Sequence, residues 1–117
     1  SGGAGQWRGA PGQRVSLRLH PDHPHPVALY IHPDRLRFPA PGIFGGEPSL
    51  RNQIILNGEN LAKDGSMEHG EIVLASPTDR LTTVVAGGAG YGPPADRDAA
   101  LAARDRAFGY VRPNDGD

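Results

Sequence analysis

The 117-residue chain has no cysteine. That excludes a disulfide framework, a thiolate metal site and a cysteine nucleophile. Aromatic residues are few, with one Trp, three Tyr and three Phe, so the side chains available for a large core are limited. No apolar run approaches the ~20 residues that span a bilayer, and no signal-peptide pattern opens the sequence. Charge of one sign is also lacking. The formal net charge is −1, which argues against a general nucleic-acid binder, since that needs a basic face. From these absences we read a cytoplasmic protein with no nucleic-acid or membrane partner. Lysine is nearly missing too. Lys63 stands alone among twelve basic residues, the rest being Arg, a skew that codon bias produces as readily as interface chemistry does.

Glycine and proline are abundant, at 17 and 12 residues. Together they are about a quarter of the chain, near the level at which composition suggests disorder. Hydrophobic residues at 37% and the near-zero net charge oppose that reading, because disordered chains pair low hydrophobicity with high net charge. The glycines and prolines therefore belong to shaped loops in a folded body. The length corresponds to one domain, residues 1–117, burying roughly two thirds of its unfolded surface. Charge runs unevenly: net +3 over residues 1–40, −3 over 41–75 and −1 over 76–117.

Residues 1–12, SGGAGQWRGAPG, read as loop. Residues 13–20, QRVSLRLH, alternate strictly, with Val15, Leu17 and Leu19 on one face, as in a half-buried strand. The segment PDHPHP at 21–26 excludes helix because proline removes donors and extends its predecessor. VALYIH at 27–32, NQIILN at 52–57, EIVLA at 71–75 and LTTVVA at 81–86 are further strands. Turns are expected at Asn57-Gly58 and at Ser76-Pro77-Thr78-Asp79. Between the strands lies a long loop, 33–51, with Leu36, Phe38, Ile43, Phe44 and Leu50 as anchors. Loops of this length are usually functional or disordered, and five apolar anchors favour an interface.

GGAGYGPP at 87–94 breaks regular structure. Residues 96–108 then form the single expected helix. Asp96 or Asp98 is its N-cap, an apolar stripe runs through Ala100, Leu101, Ala103, Ala107 and Phe108, and Gly109 follows its end. The tail from Pro113 to Asp117 is expected to fray. The fold class is mainly β: a small, loop-rich antiparallel sheet or sandwich of about five strands with one C-terminal helix.

His20, Asp22, His23, His25, His32 and Asp34 form the most conspicuous polar cluster. Imidazole and carboxylate suit zinc or manganese, but the spacing H-P-D-H-P-H-P matches no metal motif. A Pro-stiffened hairpin loop with exposed His is the simpler account. The run Gly88, Gly90, Gly92 lacks both G-x-G-x-x-G and G-x-x-x-x-G-K-[ST] spacing, and Pro93-Pro94 separates it from the helix, so a phosphate cradle is not indicated. No G-x-S-x-G elbow occurs. Glu47, Glu59, Glu68 and Glu71 are isolated carboxylates. No catalytic, cofactor-binding or metal-ligating residue is assigned to this chain.

Four segments, in order, resemble the C-terminal region of the hydantoinase B family, which includes N-methylhydantoinase and acetone carboxylase large subunits and the matching half of 5-oxoprolinase. They are SGGAGQWRGAPG at 1–12, RFPAPGIFGGEP at 37–48, NQIILNG at 52–58 and AGGAGYGPPADRD at 86–98. Family members show an S-G-G-x-G-x-x-R-G-G-x-G opening, an F-G-G-x-P-G segment and a G-G-G-G-Y-G-D-P run before a last helix. Here Ala10 and Pro11 replace the second Gly of the opening and its neighbour, Ser49 stands where F-G-G-x-P-G ends, Ala89 interrupts the glycine run and Pro93 replaces Asp.

The family's subunit is several times longer, with its metal-binding part N-terminal to this region. The resemblance implies a detached C-terminal part, either a fragment or a natural small subunit, and the start at SGG with a complete tail favours the second. Acetophenone carboxylase, which adds a small subunit to hydantoinase-like large ones, resembles it best. That implies a non-catalytic small subunit of an ATP-dependent, biotin-independent ketone carboxylase, completing the fold of a hydantoinase B-like partner beside hydantoinase A-like subunits. ATP and a divalent metal would then sit in the partner subunits, with none bound by this chain. Interface candidates are Trp7, Arg8, Phe44, Gly45, Gly46, Gly88, Gly90 and Tyr91. One alternative is a subunit or fragment of an ATP-dependent hydantoinase or 5-oxoprolinase. A second is a stand-alone β module with a His-rich metal-binding loop.

Overall fold

The computed structural model describes residues 1–63, 65, 67 and 70–111. Glu68 and the tail from Pro113 to Asp117, both named above, lie outside the described residues. Two compact units are built from interleaved segments. One comprises Arg14–Phe38 and Asn52–Val85, the other Ser1–Gln13, Pro39–Arg51 and Ala86–Asp117.

The first unit is mainly β. Its strands are β1 (Gln13–Leu17, whose first residue closes the other unit's segment), β2 (Val27–Ile31), β3 (Gln53–Leu56), β4 (Glu59–Asn60), β5 (Gly70–Leu74) and β6 (Leu81–Val85). They form a four-stranded sheet in the order β1-β6-β3-β4 and a two-stranded sheet of β2 and β5. Strands adjacent in sequence therefore part company: β1 and β2 lie in different sheets, as do β5 and β6. The segment 21–26 is a crossing, not the expected hairpin loop.

Alternation sets the faces. In the antiparallel β2–β5 pair, Val27 opposes Leu74 and Leu29 opposes Ile72 on the core side. Ala28 opposes Val73 and Tyr30 opposes Glu71 on the other. The Tyr30 hydroxyl bonds Glu71, and this with slight burial keeps the phenol above its usual pKa. The core comprises Leu19, Leu36, Ile54, Ala62, Ile72, Leu74 and Leu81, every one in this unit. Of the five expected loop anchors only Leu36 is buried, whereas Phe38, Ile43, Phe44 and Leu50 are exposed.

Two turns are tied together beside this core. Asn57 and Gly58 both have positive φ, +50° and +88°, the geometry a two-residue hairpin loop requires, and they join β3 to the unanticipated short β4. Asp79 accepts from the amides of Ala75 (2.8 Å) and Ser76 (3.0 Å) and from the Asn57 side chain (2.9 Å). Asn57 Oδ1 accepts from Arg80 N at 2.8 Å. The Asn57 bond first, then the two amides, hold the Asp79 carboxyl below its ordinary value.

The second unit holds a 3₁₀ turn, Pro94–Asp96, and the helix α1, Ala99–Ala107. Asp98 is the N-cap, its carboxylate accepting from Ala100 N and Leu101 N. At the other end Gly109 N donates to Arg106 O and Tyr110 N to Asp105 O, a Schellman closure with Gly109 at φ +70°. The expected apolar stripe is not the buried face. Leu101 and Ala102 are half-buried and Asp105 is buried, while Ala100, Ala103, Ala107 and Phe108 are exposed. Alanines offer little apolar area to fix a helix's rotation, and here an ion pair fixes it instead.

Candidate functional site

Eight described residues of the second unit are fully buried, and six are glycines: Gly2, Gly3, Gly5, Gly87, Gly90 and Gly92. The other two are Ser49 and Asp105. No apolar side chain is buried among them. Three chain segments approach backbone to backbone instead. Gly3 N donates to Gly88 O (2.9 Å), Gly88 N to Ala10 O (3.0 Å) and Gly9 N to Gly3 O (3.0 Å). Glu47 N donates to Ala4 O (2.7 Å) and Gly90 N to Glu47 O (2.8 Å). Trp7 and Tyr91 exchange both their amide bonds at 2.9 Å.

Glycine is required where these chains meet. A Cβ on Gly90 would lie 1.8 Å from Ala4 O, and one on Gly46 would lie 2.2 Å from Gly90 O. Ser49 staples the middle segment. Its Oγ accepts from Ala40 N (3.0 Å) and donates to Leu50 O (2.9 Å), and its amide donates to Ala40 O.

On this platform stands an aromatic cluster. Gly46 N donates to Ile43 O at 3.0 Å and closes a turn through Phe44 and Gly45, both at positive φ (+49° and +88°). Positive φ is an uncommon, strained state for a bulky residue such as Phe. It lifts Phe44 to 76% exposure, edge-on to the Tyr91 ring with centroids 5.4 Å apart. Trp7 and Ile43 both bridge to Tyr91 and are also exposed. Four large apolar side chains, all exposed, thus gather around Tyr91 on hydrogen-bonded backbone.

The same unit holds an ionic cluster. Arg97 Nη2 donates to Asp105 Oδ2 at 2.6 Å, and Arg8 Nε lies 3.4 Å from the same oxygen. Arg97 Nη1 donates to Gln6 O and Arg8 Nη1 to Gly2 O. The cluster borders a cavity of about 150 Å³ lined in part by Gly9, Arg104 and Tyr110.

The chemistry of the glycine run is also settled by this geometry. The amides of Gly88, Gly90, Tyr91 and Gly92 all donate to carbonyls of this chain, so they are not free to cradle a phosphate. Among the described residues no group of three His, Cys, Asp or Glu could hold a metal ion. His20 bonds its own turn through Asp22 N, and His20, His23, His25 and His32 are exposed.

The hydantoinase B/oxoprolinase family profile matches residues 1–94. The chain belongs to that family. No curated protein and no solved structure matches it. In this hydantoinase B-family chain the matched region covers the three glycine segments and all six strands, while α1 lies beyond it. Among the described residues, no helix is long and apolar enough to cross a membrane.

The eight residues singled out from sequence all fall in the glycine-built unit. Trp7, Phe44 and Tyr91 come together at its surface, with Gly45 and Gly46 forming the turn that presents Phe44. Arg8 is turned inward instead, its side chain 13% exposed against Asp105. Gly88 and Gly90, similar in sequence, differ in structure: a Cβ on Gly88 would meet nothing closer than 3.4 Å. Arg97 and Asp105 escaped sequence reasoning because an Arg-to-Asp spacing of eight across a helix start matches no local pattern.

Proposed function

We propose that this chain serves as a non-catalytic subunit, or the equivalent C-terminal part, of an ATP-dependent, biotin-independent ketone carboxylase of the acetophenone carboxylase kind. Its role is to complete the fold of a larger hydantoinase B-like partner in a cytoplasmic complex. The carrying observation is the patch of Trp7, Ile43, Phe44 and Tyr91, exposed on a scaffold of hydrogen-bonded glycine backbone. Clustered aromatics on rigid backbone are what protein interfaces use as anchors, and strain at Phe44 is the kind that persists at recognition sites.

The test is native purification through a tag on this chain. Copurification of larger hydantoinase A-like and B-like subunits, with ATP-dependent incorporation of labelled bicarbonate into a ketone, supports the assignment. A partner-free, cooperatively folding monomer overturns it. The family description favours a second activity in the same assembly, ATP-dependent hydrolysis of a hydantoin or of 5-oxoproline. Ring opening without bicarbonate incorporation selects that alternative.

A further inference from the structure

We propose that the cavity beside Arg8 and Arg97 binds a small oxyanion of the phosphate or carboxylate type. The inference rests on the glycine-built unit alone and stands whichever reaction the assembly performs.

The first reason is charge. Arg8, Arg97 and Arg104 line the cavity against one carboxylate, Asp105. The side chains of Arg8 and Arg97 are only 13% and 10% exposed, and that of Asp105 only 4%. Arginine does not shed its proton in proteins, so among the described residues a single Asp leaves buried positive charge uncompensated. Buried charges are ordinarily paired.

The second reason is hydrogen bonding. The Nε atoms of both Arg8 and Arg97 are buried without a hydrogen-bond partner. Arg8 Nε is near Asp105 Oδ2, at 3.4 Å, but without bonding alignment. Asp105 Oδ2 is already engaged by Arg97 Nη2 at 2.6 Å, and Arg104 Nη2 lies 3.9 Å from Oδ1. Guanidinium forks match carboxylate and phosphate oxygens through two parallel bonds. The third reason is space. At about 150 Å³ the cavity exceeds the ~30 Å³ share of one water several-fold. Water would fill it but leave that charge uncompensated among the described residues, whereas an oxyanion would balance it.

The anion is either a free ion or a carboxylate supplied by a partner subunit, and the experiment separates the two. Potassium phosphate is titrated into the ¹⁵N-labelled chain, alone and in its purified complex, against potassium chloride of equal ionic strength. The Nε–Hε resonances of Arg8 and Arg97 are followed. A saturable shift with phosphate and not chloride is expected, weakened about five- to tenfold in Arg104→Gln. Arg104 is half-exposed and its substitution leaves the Arg97–Asp105 bond in place. A response in the complex identifies a free oxyanion. A response in the chain alone, lost on assembly, identifies a partner carboxylate. No saturable phosphate response in either preparation, or an equal response to chloride, overturns the proposal.

Discussion

Two glycines two positions apart carry opposite expectations. Gly90→Ala drives a methyl into Ala4 O, and overpacking of this kind costs about 1–3 kcal/mol or more. Gly88→Ala meets only ordinary contacts and should stay within about 0.5 kcal/mol of the parent. Urea denaturation of both variants checks the pair, and equal destabilisation would contradict the backbone geometry. Asp105→Asn leaves two buried guanidiniums facing a neutral amide, so a loss of about 3–5 kcal/mol is expected, read in the same melts. What was legible at this scale was residue type. The glycine segments announced close approach, but which glycines are indispensable depends on which carbonyl arrives from a segment more than 80 residues away, as Ala4 does for Gly90. Arg8 is an interface candidate in the sequence, and its side chain faces inward. Its partner, Asp105, sits on a helix face that composition had assigned to alanine.

At the scale of elements, the strand cores and both turns could be read from alternation and turn chemistry, because Val27, Leu29 and Ile31 or Asn57-Gly58 decide their conformation locally. The pairing of strands could not, since nothing in residues 21–26 or 76–79 says that the chain changes sheets there. The helix shows the same limit. Its caps, Asp98 and Gly109, are local and were visible, while its rotation is set by a remote ion pair and was not. Asp79 gives an element-level prediction. Its carboxyl titrates below the unfolded value, so its stabilisation is fully present above that value. It fades as pH falls through the ordinary carboxylate range toward the lower folded value. Asp79→Asn should lower stability at neutral pH and flatten the acid limb of the stability profile measured by thermal melts. An unchanged acid limb would show that the tie between the two turns contributes nothing. Asp98→Ala removes the cap of α1 and should cost about 1 kcal/mol, visible as reduced helical circular dichroism at elevated temperature.

For the whole molecule, the surface patch should be separable from the fold. Phe44→Gly relieves the positive-φ strain and removes an exposed ring, so the chain should remain as stable as the parent while copurification of larger subunits falls at least severalfold. Loss of stability without loss of copurification would assign Phe44 to the fold instead.

One unit hides leucines and isoleucines from water; the other hides peptide groups. Exposing apolar surface raises the heat capacity of unfolding, and exposing polar surface lowers it. The glycine-built unit should therefore melt with an unusually small heat-capacity increment per residue and a shallow dependence of stability on temperature. Its cohesion would then persist near freezing, where apolar cores weaken, and scanning calorimetry would read that difference directly.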